Sequence, residues 1–171
     1  MNKVLARWNS LDPSTAANEA LPCCGSKAWA AALASQRPIP DEPSLLETSA
    51  AIWRSLPPQD WQEAFDSHPR IGQNHAQKHA TEESLRWSSQ EQRKALTDDE
   101  ATKLALARAN RLYEKKFGRI FIVCATGKTS GEMLAILEAR MDNDAATELL
   151  ESAEQQRQIT QIRLRRWLES D

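Results

Sequence analysis

Glycine is scarce in this chain, with five among 171 residues, and tyrosine occurs once. That shortage, beside abundant Ala, Leu, Glu, Gln and Arg, points to a mostly helical chain. Cysteine is limited to Cys23, Cys24 and Cys124. An odd count argues against a disulfide framework. The neighbours Cys23 and Cys24 could bridge only with backbone strain, so reduced thiols in a cytosolic protein are expected. There is no apolar run of ~18 residues, which excludes a helical membrane span. Charge of one sign is not in excess: the formal net charge is −2 and the pI about 6.0, which favours neither nucleic acid nor an anionic membrane as a partner. The stretch Met1-Asn2-Lys3-Val4-Leu5-Ala6-Arg7-Trp8 is too polar for a secretory signal, and Leu168-Glu169-Ser170-Asp171 is no peroxisomal or retention signal. A cytoplasmic location is the resulting expectation. The length suggests one domain with a useful core.

What is present is helix punctuation. Asp12 and Pro13 read as N-cap and first helical residue of a short helix to about Ala20, broken by Leu21-Pro22-Cys23-Cys24-Gly25. Ser26 can cap a helix over 27–35, followed by a stiff connector, Arg37-Pro38-Ile39-Pro40. An amphipathic stripe runs from Ser44 to Leu56, and Pro57-Pro58 ends it. A short helix over 59–67 follows, then a polar, weakly periodic stretch over 73–92. Thr97 with Glu100 forms a capping box for a long helix to Phe117, with Gly118 at its end. Thr129 with Glu132 heads another helix, and Asn143 or Asp144 starts the last, to about Leu168. The fold class expected is all-α, a single-domain helical bundle over 1–171 with short connecting loops. Ile120-Phe121-Ile122-Val123-Cys124-Ala125 departs from it. The run is apolar and rich in β-branched residues, so it is a buried strand or extended segment. A single strand makes no sheet, so its backbone groups need other partners, a ligand among the candidates.

Several groups are candidates for chemistry. His68-Pro69-Arg70-Ile71-Gly72 puts a titratable imidazole directly before a proline, which pushes it towards extended angles, with a glycine to turn the chain. Ala125-Thr126-Gly127-Lys128-Thr129 lacks the glycines of a phosphate loop, so Lys128 is expected to cap a helix or face solvent. His75 and His79 share a helical spacing but have no evident third ligand, so no metal is expected. Ser88-Ser89-Gln90-Glu91-Gln92 gathers hydroxyls, amides and a carboxylate, yet a helix N-terminus explains it equally well. Among Arg140, Arg163, Arg165 and Arg166, most are expected to be solvated. Arg163 differs, because between Ile162 and Leu164 it needs a carboxylate or anionic partner.

Together, Cys23-Cys24-Gly25-Ser26 with Trp29, Arg37-Pro38, the His68 loop, Ser88-x-x-Glu91-Gln92, Phe117-Gly118, Phe121–Ala125 and Ile162-Arg163-Leu164 closely resemble the 2-oxo-4-hydroxy-4-carboxy-5-ureidoimidazoline (OHCU) decarboxylase family. The resemblance covers nearly the whole chain. It implies an all-helical homodimer without a cofactor, acting in the conversion of uric acid to (S)-allantoin. It further implies His68 as proton donor, with Glu91 and Arg163 as catalytic partners. Pro69, Ser88, Ser89, Gln90, Gln92, Phe121, Ile122, Val123, Cys124 and Ala125 would contact the substrate. Two other readings compete. One is a helical interaction module that uses exposed tryptophan faces. The other is an enzyme acting on a different ureido acid.

Overall fold

The computed structural model describes residues 2–72, 80–97 and 99–170, in which nine α-helices and one 3-10 turn account for the regular structure. By its own contacts the chain divides into two compact units, residues 1–64 with 157–171, and residues 65–156.

The first unit is built on helices α1 (Lys3–Ser10), α2 (Pro13–Cys24), α3 (Lys27–Ser35), α4 (Glu42–Ser55) and most of α5 (Pro58–Asp66). Its caps follow the short polar side chains that precede each helix: Asp12 accepts the Thr15 N–H, Ser26 that of Trp29, and Asp41 that of Ser44. The expected break at Pro22 does not occur. Proline stands in the last turn of α2, where its missing N–H costs a single bond. Gly25 ends the helix instead, at φ +88°, donating its N–H to the Leu21 carbonyl. Helix α4 opens two residues before the expected Ser44, because Asp41 is the cap. Helix α1 was hidden by its polarity; Leu5 and Trp8, three residues apart, are its buried contacts. Arg37 ties this unit together. Its guanidinium donates to the carbonyls of Trp8 and Leu11, each at 2.7 Å, and of Ala34 at 2.8 Å, and lies 5.3 Å from the Trp8 ring.

Trp8, Trp29, Trp53, Trp87 and Trp167 are buried, and Trp61 is partly so. The exposed tryptophan faces that an interaction module needs are therefore not there. Among the described residues no helix is long and apolar enough to cross a membrane.

In the second unit α6 (Glu82–Glu91) leads through a 3-10 turn (Arg93–Thr97) to α7 (Glu100–Phe117), which packs on α8 (Ser130–Arg140); α9 (Ala145–Leu168) contributes its first half here. Asp99, not Thr97, caps α7, accepting the Thr102 N–H at 2.8 Å. Gly118 (φ +69°) ends α7, and Thr129 with Glu132 forms the reciprocal box at α8, both as the sequence predicts. Tyr113, Met133 and Leu137 meet Phe121, Val123 and Ala125 in one apolar cluster. The 120–125 run is thus core, and it is extended without pairing as a strand.

Candidate functional site

All of the candidate residues except Arg163 fall in the second unit. His68 follows the end of α5, with its N–H on the Phe65 carbonyl at 3.1 Å. It is 7% exposed, and Pro69 beside it is buried. Two anchors fix the rest of the loop. Arg70 forms a two-pronged ion pair with Glu114 of α7, at 2.5 and 2.9 Å. That hydrogen bonding pushes the Arg70 pKa up. Gly72, at φ +86°, donates its N–H to Gln92 Oε1 at 2.8 Å.

Gln92 directly follows α6. Thr81 and Ser84 cap that helix reciprocally, so Ser88 and Glu91 lie in its closing turns and are no N-terminal cap. Helical spacing sorts the stretch: Ser88, Glu91 and Gln92 turn inward, whereas Ser89 and Gln90 are exposed, with the Ser89 hydroxyl on the Leu85 carbonyl.

The extended run solves its backbone problem with side chains. Arg140 Nη1 donates to the Ile122 carbonyl at 2.7 Å, Lys128 Nζ to the Cys124 carbonyl at 2.6 Å, and the Cys124 N–H donates to Gln155 Oε1 at 2.9 Å. Lys128 therefore serves the run rather than solvent. Among the described residues the N–H groups of Ile122, Val123 and Ala125 meet no acceptor, although all three residues are buried. Buried donors of this kind are rare, and in a cleft they suit a ligand oxygen.

Arg140, expected in solvent, is buried. Its Nε and Nη2 hold Glu148 at 2.9 and 2.5 Å, and its guanidinium carbon lies 4.6 Å from the Phe121 ring centre. The Tyr113 hydroxyl and Asn143 Nδ2 also donate to Glu148. Burial works to raise the Glu148 pKa, but the bonds from Arg140, Tyr113 and Asn143 outweigh it and hold the carboxylate below its ordinary range. Burial and the Glu148 contact push the Tyr113 hydroxyl up to about 12.

Three contacts draw the parts together. Gly72 is bonded to Gln92, next to Glu91. His68 Nε2 lies 2.6 Å from Gln156 Oε1, and the Cys124 N–H is held by Gln155, the preceding residue of α9. Burial raises the Cys124 thiol pKa; Lys128 and Thr126 pull it down, and the Glu91 charge raises it further. His68 and the run thus meet at one short stretch of α9, and Glu91 lies close enough for its charge to act on Cys124. A cavity of about 370 Å³ adjoins the far end of the loop, lined by Ile71, Gly72, Gln92, Ala95, Leu106 and Ser130 among others.

Arg163, in the first unit, is 1% exposed, and its Nη1 donates to the Pro22 carbonyl at 3.3 Å. The neighbouring Cys24 thiol is pushed up to about 12 by burial, although Ser26, Thr160 and Arg163 oppose the rise. His75 and His79 lie outside the described residues, and among the described ones no group of three or more His, Cys, Asp or Glu could hold a metal ion. Gln155, Gln156 and Glu148 were missed from the sequence. Nothing in a helical Glu/Gln-rich stretch distinguishes an inward amide from a solvated one except its place on the stripe.

The family model for OHCU decarboxylase matches residues 9–165. The chain is 38% identical over 144 residues to the uric acid degradation bifunctional protein TTL of Arabidopsis thaliana, a match covering 83% of this chain and 44% of that one. It thus spans less than half the length of that relative. Its fold matches the crystal structure of OHCU decarboxylase in the presence of (S)-allantoin with a TM-score of 0.77 and 34% identity, over 90% of this chain and 99% of that one. It also matches the crystal structure of (S)-allantoin synthase, with a TM-score of 0.71 over 95% of this chain and 53% of that one; at 19% identity this speaks to the fold alone.

Proposed function

Because the chain belongs to the OHCU decarboxylase family, we propose that it catalyses loss of CO2 from OHCU to give (S)-allantoin, without a cofactor, in uric acid degradation. Breaking the bond to the carboxylate leaves an electron pair on carbon. A neighbouring carbonyl of the imidazoline ring takes it up as an enolate, and a proton then adds at that carbon. The protein must stabilise the oxyanion, disfavour the carboxylate before it leaves, and protonate from one face.

The observation that carries this assignment is a buried imidazole and a run whose buried N–H groups meet no acceptor among the described residues, both held by α9, with the buried Glu91 carboxylate acting on Cys124. N–H groups of the run take the ring and ureido oxygens; one such preorganised donor is worth about 3–4 kcal/mol in the transition state. Glu91 accepts hydrogens from the substrate hydroxyl or ureido group, or repels the departing carboxylate. His68 protonates the carbon, and delivery from one side yields one enantiomer. Pro69, Ser88 and Gln92 frame the substrate. Ser89 and Gln90 belong to the same stretch, with exposed side chains. For Arg163 the role rests on the sequence match, and a ring or ureido oxygen is the better target. A tight pair with the carboxylate would stabilise the ground state and slow the reaction. A cytoplasmic homodimer completes the proposal; sedimentation at micromolar concentration tests the second half of it.

Freshly prepared OHCU followed by circular dichroism decides the activity. Rapid appearance of the (S)-allantoin signal is expected, with the same rate in chelator. A rate no faster than the uncatalysed decay sinks the assignment, and consumption of another ureido acid in its place would favour the neighbouring substrate.

A further inference from the structure

Gln156 is wholly buried, 88 residues along the chain from the His68 ring it faces at 2.6 Å. A buried amide costs free energy unless its polar atoms are matched, so this contact is part of how α9 is accommodated. We infer that Gln156 is a positioning residue that fixes the tautomer and plane of the His68 imidazole, an inference that rests on reading His68 as the proton donor.

An amide oxygen accepts a hydrogen bond from Nε2 only if that nitrogen carries hydrogen. The contact therefore selects the Nε2–H form of the neutral ring, and both N–H groups remain in the imidazolium. The choice of amide over carboxylate has a chemical consequence. A carboxylate at this distance would hold the imidazolium as an ion pair and make it a weaker acid. An amide orients the ring without adding charge. The proton that leaves is then the one on Nδ1, and the Nε2–H bond to the amide oxygen persists in both states of the ring.

The adjacent residue supports the same view. Gln155 Nε2 donates to Glu151 at 3.0 Å, which leaves its Oε1 on the Cys124 N–H. Two consecutive amides of α9 thus hold the acid and the run of donors.

Gln156→Met keeps length and bulk but offers no hydrogen-bonding oxygen or nitrogen; Gln156→Glu keeps the acceptor. In long-range proton–nitrogen spectra of the ligand-free protein, with His68→Ala to assign the ring, the wild type is expected to show one Nε2–H tautomer. Gln156→Met should show a mixture, and Gln156→Glu should keep Nε2 protonated. With OHCU, Gln156→Met should lose about tenfold or more in kcat with KM within about twofold, Gln156→Glu falling between it and the wild type. A Gln156→Met protein with the wild-type tautomer and kcat overturns the inference. So does one whose kcat loss merely follows a loss of folded protein. If the wild-type chain does not turn over OHCU, it is the assigned activity that fails, and the tautomer spectrum still decides the Gln156 contact.

Discussion

Two irregular segments carry the candidate chemistry, and they are held in opposite ways. The His68 loop is stiffened from within by Pro69, turned by a glycine at positive φ, and pinned outside by the Arg70–Glu114 pair, whose side chains are 34% and 24% exposed. The 120–125 run has no internal stiffener. It is held by side chains reaching in from α8, α9 and the Lys128 turn, foremost Arg140 of the buried Arg140–Glu148 pair, at 7% and 0% exposure. A loop stiffened by its own backbone tolerates a wet anchor, whereas a run of unpaired extended backbone needs a dry one. Buried ion pairs are poor at adding stability, because desolvation offsets their attraction. The extra arm of Arg140 on the Ile122 carbonyl gives this one a reason to exist.

Replacing the chemistry rather than the anchors has the largest effect. His68→Ala should keep the fold, since Pro69, Arg70 and Gly72 still set the loop, yet lose about 10²-fold or more in turnover. Near wild-type rates would remove His68 from the mechanism.

Breaking the dry anchor comes next. Arg140→Met strands the Glu148 charge in the core and should cost about 3–5 kcal/mol in urea unfolding, with loss of activity. The double change Arg140→Met with Glu148→Leu separates the two roles. Stability should largely return, while activity stays low because the Ile122 carbonyl has lost its donor. Full activity in the double variant would reduce the pair to a structural feature.

The dry anchor also has a pH signature. Tyr113 donates to Glu148, and its hydroxyl is raised from 10.0 to about 12. A group whose pKa is higher when folded contributes stability below its unfolded value and loses it as pH climbs towards the folded one. Stability should therefore fall by about 1–2 kcal/mol between pH 10 and 12 through this group. Tyr113→Phe should remove that part of the slope; an unchanged alkaline slope would show that the contact is weaker than its geometry implies. On the acid side the sign reverses. The depressed Glu148 pKa supports the fold above the ordinary carboxylate range, and that support fades as pH falls through its folded value.

The contrast between the segments also explains what was legible in the sequence. Turn chemistry is local, so His68-Pro69-Arg70-Ile71-Gly72, the Gly118 end of α7 and the Thr129 box could be read directly. Two of the residues holding the 120–125 run, Arg140 and Gln155, lie 18 and 31 positions from their partners in it, and an arginine or glutamine on a helix looks the same whether it faces water or core. Hence Arg140 was expected in solvent, and Gln155 and Gln156 passed unnoticed. Boundaries slipped where two signals competed: Thr97 against Asp99, Ser44 against Asp41, and Pro22 against Gly25. In each case the cap or the left-handed glycine decided. The Ser88–Gln92 stretch misled for a related reason, since a Ser-x-x-Glu pattern fits a helix start and the inward face of a helix end alike.

The wet anchor should give the smallest effect, and a different kind of effect. Arg70→Ala removes a partly exposed pair, so unfolding free energy should change by no more than about 1 kcal/mol. Gly72–Gln92 and the Pro69 ring remain, so the loop stays folded but gains freedom at His68. Turnover should then fall by more than stability does, with substrate affinity little altered. Salt offers the same test without mutation. Taking ionic strength from about 0.01 to 1 M shortens the screening length from about 30 to 3 Å. That should weaken Arg70–Glu114 in the wild type while leaving the buried Arg140–Glu148 pair almost untouched. Wild-type turnover should accordingly drift towards that of Arg70→Ala as salt rises, and the Arg70→Ala protein itself should be nearly insensitive. An equal salt response in both proteins would place the sensitivity elsewhere and leave the loop held by its backbone alone.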